Sequence, residues 1–252
     1  GPGLGGMLAH VNYKFPFWVA GILGLISTVV AWRFLPHDED ELFKSETKNP
    51  ENELLTGGWS QLKQIMTPIL ITLFGMIFVA SFGLAGFESI YSLYVNEVHN
   101  FDLNAIALVL TLNGIISLIL QVFFFDRLVR WLGEVRLMRY SFFLSLVGTI
   151  MVIYDHNHWH IIIATLFVFE AFDMLRPTIT TLLTKMSKTN QGLLNGVNMS
   201  LTSVGNIIGP LISGYLLDVN YQYPYWFVSI FLIISWVITL VLGRERKAAT
   251  ND

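Results

Sequence analysis

The stretch IMTPILITLFGMIFVASFGLAGFESIYSLYV (Ile65–Val95) is a continuous apolar run that contains one charged residue, Glu88. The hydrocarbon core of a bilayer, about 30 Å thick, is spanned by roughly 20 predominantly apolar residues in an α-helix. The run is longer than that, and it lacks the alternation of polar and apolar residues that is typical of a barrel strand. It therefore predicts a membrane-spanning helix.

Further apolar runs of similar length occur along the rest of the chain. They are Phe17–Leu35, Leu103–Phe125, Leu137–Tyr154, His160–Thr184, Leu193–Leu217 and Pro224–Gly243, with a short apolar stub over Gly1–Ala9. The composition agrees, since 13% of the residues are charged and the mean hydropathy is +0.58, whereas soluble domains contain about 25% charged residues. We predict an all-α integral membrane protein.

The charge and the residue types exclude several other classes. Cysteine is absent, which excludes disulfide scaffolds, thiolate metal sites and cysteine nucleophiles. A net charge of −3 gives no electrostatic support for nucleic-acid binding. The sequence contains no nucleophile-elbow, P-loop or dinucleotide-binding fingerprint. We predict no enzymatic activity, no cofactor and no metal, although His156, His158 and His160 alternate in one predicted loop.

The basic residues orient the predicted helices. All but two of the 15 lysine and arginine residues lie in segments that fall on one side of the membrane, the exceptions being Lys14 and Arg176. Because basic residues concentrate in cytoplasmic loops, we expect the polar linker, residues 36–64, and the C-terminal tail, residues 244–252, to be cytoplasmic.

An internal repeat gives the domain organisation. The motif GPGLGG (residues 1–6) matches GPLISG (residues 209–214), and the match continues through Pro16 with Pro224 and Trp18 with Trp226. Such repeats are expected in transporters built from two related halves. We predict that residues 1–35 hold a partial fifth helix and a sixth helix of one half, and that residues 65–243 form a complete six-helix second half. The chain is thus expected to be a fragment that is inactive alone.

Four motifs carry a resemblance to a known family. They are GPGLGG (1–6), FGLAGFESIYSLY (82–94), FDMLRP (172–177) and GNIIGPLISG (205–214). The sequence resembles the major facilitator superfamily, and within it the twelve-helix drug:proton antiporters of the NorA type. The resemblance implies a partial superfamily fold in a bacterial plasma membrane and proton-coupled efflux of amphipathic or cationic drugs, with antibiotic resistance as a consequence.

Charged residues inside the predicted spans are the candidate functional residues, because an ionisable group at bilayer depth costs at least ~2.5–3.5 kcal/mol on insertion scales. Glu170, Asp173 and Arg176 lie at i, i+3 and i+6 of one helix, so we expect them to share a broad face, with Arg176 paired to Asp173. From its depth, Glu88 is expected to meet them in a central cavity. The resemblance assigns proton coupling and substrate binding to Glu88, Asp173 and Arg176, whereas Glu170 departs from the family pattern. The alternative is an ion pair that only fixes helix packing.

Two further sets of residues complete the candidate site. Possible cavity-lining residues are Glu170, Phe78, Phe82, Tyr91, Asn198 and Asn206, although aromatic stripes more often belong to a core or a lipid-facing surface. The helix-packing motif comprises Gly1, Pro2, Gly5, Gly6, Gly209 and Pro210.

The expected partners are lipophilic small molecules, protons, the lipid bilayer and an N-terminal half of the same protein, and no nucleic acid. The alternatives are a nutrient facilitator or symporter of the same superfamily, or a truncated membrane protein that does not transport.

Overall fold

The computed structural model describes residues 14–34, 66–186 and 191–251, and all of its regular elements there are helical. The chain divides into two compact units, Gly1–Met66 and Thr67–Asp252. In the first unit, the described element is α1 (Phe15–Phe34), a helix of apolar residues with Arg33 in its last turn. Its large apolar side chains, such as Trp18, are exposed at the surface of the described structure. This is expected for a helix that faces lipid or another part of a larger bundle.

The second unit begins with α2 (Pro68–His99) and α3 (Leu103–Ile119), which continues through a π-helical turn, Leu120–Phe124, into α4 (Phe125–Leu132). It then comprises α5 (Glu134–Tyr154), α6 (His158–Met186), α7 (Gln191–Val219) and α8 (Tyr223–Asn251). The predicted apolar runs all coincide with these helices, which confirms the all-α membrane fold class. The predicted linker and the stub at residues 1–9 lie outside the described residues.

Length and composition identify six helical stretches of the described chain as able to cross a membrane. They are Phe15–Arg33, Pro68–His99, Asn104–Leu132, Glu134–Tyr154, Gln191–Val219 and Tyr223–Leu242. Helix α6, which carries Glu170, Asp173 and Arg176, is not among the six. With 29 residues it is nevertheless about 43 Å long at 1.5 Å per residue, and it continues through Pro177.

Local sequence signals fix the helix ends. Thr67 caps α2 by accepting a hydrogen bond from the Leu70 backbone N–H, and Asp102 caps α3 by accepting one from Ala105. Asn100 adopts a left-handed conformation after α2. Gly133 joins α4 to α5 at a φ of 76°, which glycine adopts without steric cost. Next to this turn, Lys185 of α6 donates a hydrogen bond to Glu134, the first residue of α5.

An aromatic cluster forms the centre of the second unit. Phe87 and Tyr91 of α2 pack against Phe169 of α6, and Phe87 also contacts Tyr225 of α8. These four side chains are no more than 2% exposed. Because aromatic side chains bury large areas in edge-to-face contacts, the cluster fixes α2, α6 and α8 relative to one another.

Helices α2 and α7 approach so closely that only glycine fits at their crossing. A Cβ atom on Gly209 would lie 2.6 Å from the Phe82 carbonyl oxygen and 2.9 Å from the Gly86 nitrogen, and one on Gly205 would lie 2.9 Å from the Phe82 nitrogen. Small residues at helix crossings allow this backbone contact in membrane proteins. Gly209 therefore lies at the tightest point of the α2–α7 interface, next to Pro210 within α7.

We predict that Gly209→Ala lowers the free energy of unfolding by about 1–3 kcal/mol, because the added methyl group would force the two backbones apart. The thermal unfolding midpoint of the detergent-purified protein measures this. The matched control is Gly196→Ala in the same helix, where an added Cβ meets no atom within 4 Å in the described structure. Equal midpoints for the two variants would contradict the assignment.

Candidate functional site

Asp173 of α6 is held by a polar chain that reaches it from α3. The Ser117 hydroxyl donates a hydrogen bond of 2.7 Å to Asp173 Oδ2, and Gln121 Nε2 donates one of 2.9 Å to Ser117 Oγ. A carboxylate inside a bundle needs such donors, because a charge without partners in an apolar medium is strongly disfavoured. The chain Gln121–Ser117–Asp173 fixes the position of the carboxyl group.

The π-helical turn Leu120–Phe124 contains Gln121. A π-turn inserts one extra residue into an α-helix and is often found at functional sites. Here it begins three residues after Ser117 and continues without a break into α4. The irregular backbone is therefore located where α3 provides the polar partner of Asp173.

Arg176 turns toward α7 and not toward Asp173. Its Nη2 donates a hydrogen bond of 2.8 Å to Asn206 Oδ1. Among the described residues, the ion pairs closer than 4.0 Å are His160–Asp155 and Lys185–Glu134, so the expected direct pair between Arg176 and Asp173 is not formed. The reason is that each group has a nearer neutral partner on another helix, Ser117 for the acid and Asn206 for the base.

Glu88 of α2 lies in the same electrostatic neighbourhood. Its carboxylate interacts with both Asp173 and Arg176, and its side chain is exposed, whereas those of Asp173 and Arg176 are partly buried. Among the described residues, no hydrogen bond or ion pair joins Glu88 to Asp173 or Arg176, so their meeting in one cavity stays a prediction. We call Glu88, Asp173, Arg176 and the hydrogen-bonding residues Ser117 and Asn206 the charge cluster.

The other predicted cavity-lining residues are found in two different environments. Asn198 is partly buried, and its Nδ2 donates a hydrogen bond of 3.1 Å to Thr180 Oγ1 of α6. Phe82 and Tyr91 are 3% and 1% exposed. Phe82 stacks on the partly exposed Phe78. The predicted aromatic residues thus belong mainly to the packed core. A core position is the alternative to a cavity lining that the sequence leaves open.

Glu170 interacts electrostatically with Asp173 but has no hydrogen-bond partner within the described structure. It lines a groove between α3, α5 and α6, together with Leu144 and Phe167, that includes neither Asp173 nor Arg176. Successive α-helical residues turn by about 100°, so Glu170 and Arg176 point about 120° apart. The expected broad face thus spans about 120°, and its two ends are directed toward different neighbouring helices, Glu170 toward α3 and α5 and Arg176 toward α7.

The remaining site predictions concern glycines and histidines. Gly1, Pro2, Gly5 and Gly6 lie outside the described residues. His160 contacts Asp155 at 2.9 Å. The pKa of Asp155 is lowered, first by the hydrogen bond from the Asn157 backbone N–H and then by His160. Within the described segments, no group of three or more histidine and acidic side chains is arranged to hold a metal ion.

Ser117 is the member of the cluster that sequence reasoning missed. Hydroxyl side chains are common inside membrane helices, where most bond to their own backbone, as Thr111 does to the Ala107 carbonyl. A usable signal was present nonetheless. Asn113, Ser117 and Gln121 recur every four residues, which places three polar side chains on one face of an otherwise apolar helix.

Comparisons with known proteins give the family. The model of the Major Facilitator Superfamily matches residues 1–154 and 73–252. Multidrug resistance protein 1 of Bacillus subtilis (strain 168) is 37% identical over 252 residues, covering 99% of this chain and 63% of the relative. Quinolone resistance protein NorA of Staphylococcus aureus (strain COL) is 34% identical over 253 residues, covering 100% of this chain and 63% of the relative. The chain thus spans about 63% of the length of these relatives.

We predict that Asn206→Leu lowers the free energy of unfolding by about 1 kcal/mol, because the Arg176 guanidinium loses a hydrogen-bond acceptor. Thermal unfolding in detergent measures the change. The control is Asn195→Leu at an exposed position of the same helix. It introduces the same apolar side chain and leaves the hydrogen bond between Arg176 and Asn206 in place. The role of Asn206 would be refuted if both variants unfolded at the same temperature.

Proposed function

The chain belongs to the major facilitator superfamily, a family of membrane transporters and not of enzymes, and we propose that its protein is a proton-coupled exporter of amphipathic, cationic drugs. The names of the relatives support the substrate class, since they describe resistance to multiple drugs and to quinolones. We place the protein in a bacterial plasma membrane as a multi-pass transporter.

The charge cluster is the observation that carries this proposal. Asp173 and Arg176 are held on α6 by neutral hydrogen-bond partners from α3 and α7, and Glu88 interacts with both. Since the acid and the base are not locked in a direct ion pair, either carboxylate is free to exchange a proton or a cation. A purely structural ion pair would place the opposite charges in contact.

The mechanism follows from competition for negative charge. A lipophilic cation and a proton both neutralise Glu88 or Asp173, so binding of one favours release of the other. Coupling to transport requires that the inward-facing and outward-facing states bind the proton with different affinities. The neutral partners Ser117 and Asn206 lie on other helices, α3 and α7, so movement of these helices relative to α6 would change the stabilisation of each charge.

We further propose the orientation and the partner. The linker at residues 36–64 and the tail at residues 244–252 would be cytoplasmic, because basic residues concentrate there. Transport would need an N-terminal half, since the substrate path in such transporters lies at the interface of two repeats. The side chains of Glu88 and Asn206, exposed within the described structure, would then face that path.

We predict that Asp173→Asn abolishes proton-driven efflux while the protein remains in the membrane. Asparagine keeps an oxygen that accepts the Ser117 hydroxyl hydrogen bond, so the substitution removes the charge and leaves the packing. The measurement is ethidium efflux from cells that carry the complete gene, with and without a proton gradient, and we expect efflux to fall to the level of cells lacking the gene.

The control is Glu97→Gln, which removes one carboxylate from the exposed end of the same helix as Glu88 and should leave efflux unchanged. Gradient-dependent efflux that persists in Asp173→Asn would disprove the coupling role of Asp173. Uptake of a nutrient in place of drug export would disprove the substrate class.

A further inference from the structure

Glu170 of α6 is a buried titratable group that the charge cluster does not include. Its relative exposure is 7%, and both carboxyl oxygens are inaccessible and lack a hydrogen-bond partner within the described structure. Most buried polar side chains have such a partner, and Asp173, one turn further along α6, has one in the Ser117 hydroxyl. The surroundings of Glu170 therefore decide whether its carboxyl group is charged or neutral.

Within the described segments, the helices that pack around Glu170 provide no positive charge for it. The groove beside it is lined from α3 by apolar residues, and its polar members on α5 are Tyr140 and Ser141, neither of which donates a hydrogen bond to the carboxyl group. On α6 itself, the charge that acts on Glu170 is another acid, Asp173. Arg176 donates its hydrogen bond toward α7. An ionised Glu170 would thus have no cation beside it among the described residues.

Solvent does not replace the missing partners at the depth of Glu170. The residue lies about 18 Å along α6 from the first residue of that helix, His158, at 1.5 Å per residue. In a hydrocarbon layer about 30 Å thick, this depth is near the middle of the membrane. The groove beside Glu170 is lined by exposed apolar side chains such as Phe167, which is 50% exposed, so lipid adjoins it there. The dielectric around the carboxyl group is therefore low.

Burial, missing donors and a neighbouring acid all favour the neutral form of Glu170. Transfer of an ionised carboxylate into an apolar medium without partners is strongly unfavourable, whereas the neutral acid loses only its hydrogen bonds to water. The negative charge of Asp173 further disfavours ionisation of a second carboxyl group one turn away. The described conformation is consequently compatible with Glu170 when its carboxyl group carries a proton.

From these surroundings we propose that Glu170 holds a proton in the described conformation and is a proton-binding residue of the protein in addition to the charge cluster. The proposed function assigns proton exchange to Glu88 and Asp173, so the proton on Glu170 goes beyond it and does not depend on drug export. A neutral Glu170 leaves Asp173 without a like charge on α6, so Asp173 can ionise beside Ser117 and Arg176. Loss of the proton from Glu170 would require water or a cation to reach the carboxyl group, and hence a separation of α3 or α5 from α6.

Infrared spectroscopy tests the proposal directly, because a protonated carboxyl group has a C=O stretching band that an ionised one lacks. The protein is expressed from its complete gene, reconstituted in lipid and measured without a drug at a pH of about 6, where a glutamate side chain in water is ionised. We expect a carboxylic-acid band at the high-frequency end of its region, because neither oxygen of Glu170 takes part in a hydrogen bond within the described structure.

Four variants assign the band to one residue. Glu170→Gln keeps the size of the side chain and should abolish the band. Glu170→Met, which suits the apolar surroundings, is a second variant without a carboxyl group and should do the same. Asp173→Asn should leave the band in place, since the hydrogen bond from Ser117 would shift any band of Asp173 to lower frequency. Glu97→Gln, which removes an exposed carboxyl group of α2, should also leave the band unchanged.

Three results would overturn the proposal, and the amide bands of the same spectra show whether each variant keeps its helical structure. The first is the absence of a high-frequency carboxylic-acid band from the unchanged protein, and the second is a band that survives in both Glu170 variants. The third is a band that is lost in Asp173→Asn and retained in Glu170→Gln, which would assign the proton to Asp173. Because neither a drug nor a proton gradient is present, failure of the proposed export function leaves these spectra unaffected, so the two failures are distinguishable.

Discussion

An ionisable side chain inside a bilayer must find a partner within the protein, because lipid offers neither hydrogen bonds nor a high dielectric. This requirement bears most heavily on α6, which carries two acids and one base within two turns. Neighbouring helices provide hydrogen-bond partners for two of these three residues. Ser117 reaches Asp173 from α3, and Asn206 reaches Arg176 from α7.

Asn206 can provide a hydrogen-bond acceptor for Arg176 because the glycines of α7 allow this helix to pack closely against α2. Gly205 and Gly209 contact the α2 backbone so closely that a Cβ atom would come within 3 Å of it. Asn206 lies between these two glycines, on the same turn of α7. Close packing of α2 with α7 therefore positions the acceptor of Arg176, and the helix that provides Glu88 is the one against which α7 packs. The α2–α7 interface thus positions the partner of Arg176, whereas the partner of Asp173 comes from α3.

The fold class was readable from the sequence, whereas the partners of the charges were not. A run such as residues 65–95 has no alternative to a membrane helix, because its length and apolar character already match a bilayer. The choice of Asn206 over Asp173 as partner for Arg176 depends on how α6 is rotated and on what α7 presents, and neither is encoded within α6. Spacing at i and i+3 permitted a pair but could not exclude better partners on other helices. The π-turn at Leu120–Phe124 likewise arises from an extra residue that a regular helical pattern does not reveal.

The two acids of α6 that lie one turn apart have different surroundings, although each is close enough to influence the other electrostatically. Asp173 accepts a hydrogen bond, has Arg176 and Glu88 nearby and forms part of a connected polar network. Glu170 has a like charge as its neighbour, no hydrogen-bond partner in the described structure, and an apolar groove in front of it. A network stabilises a charge that must stay in place while a proton or substrate exchanges. A buried carboxyl group without a donor and beside a second acid is more stable in its neutral form, so Glu170 can occupy its position without a counter-charge, whereas Asp173 is held by a donor from α3.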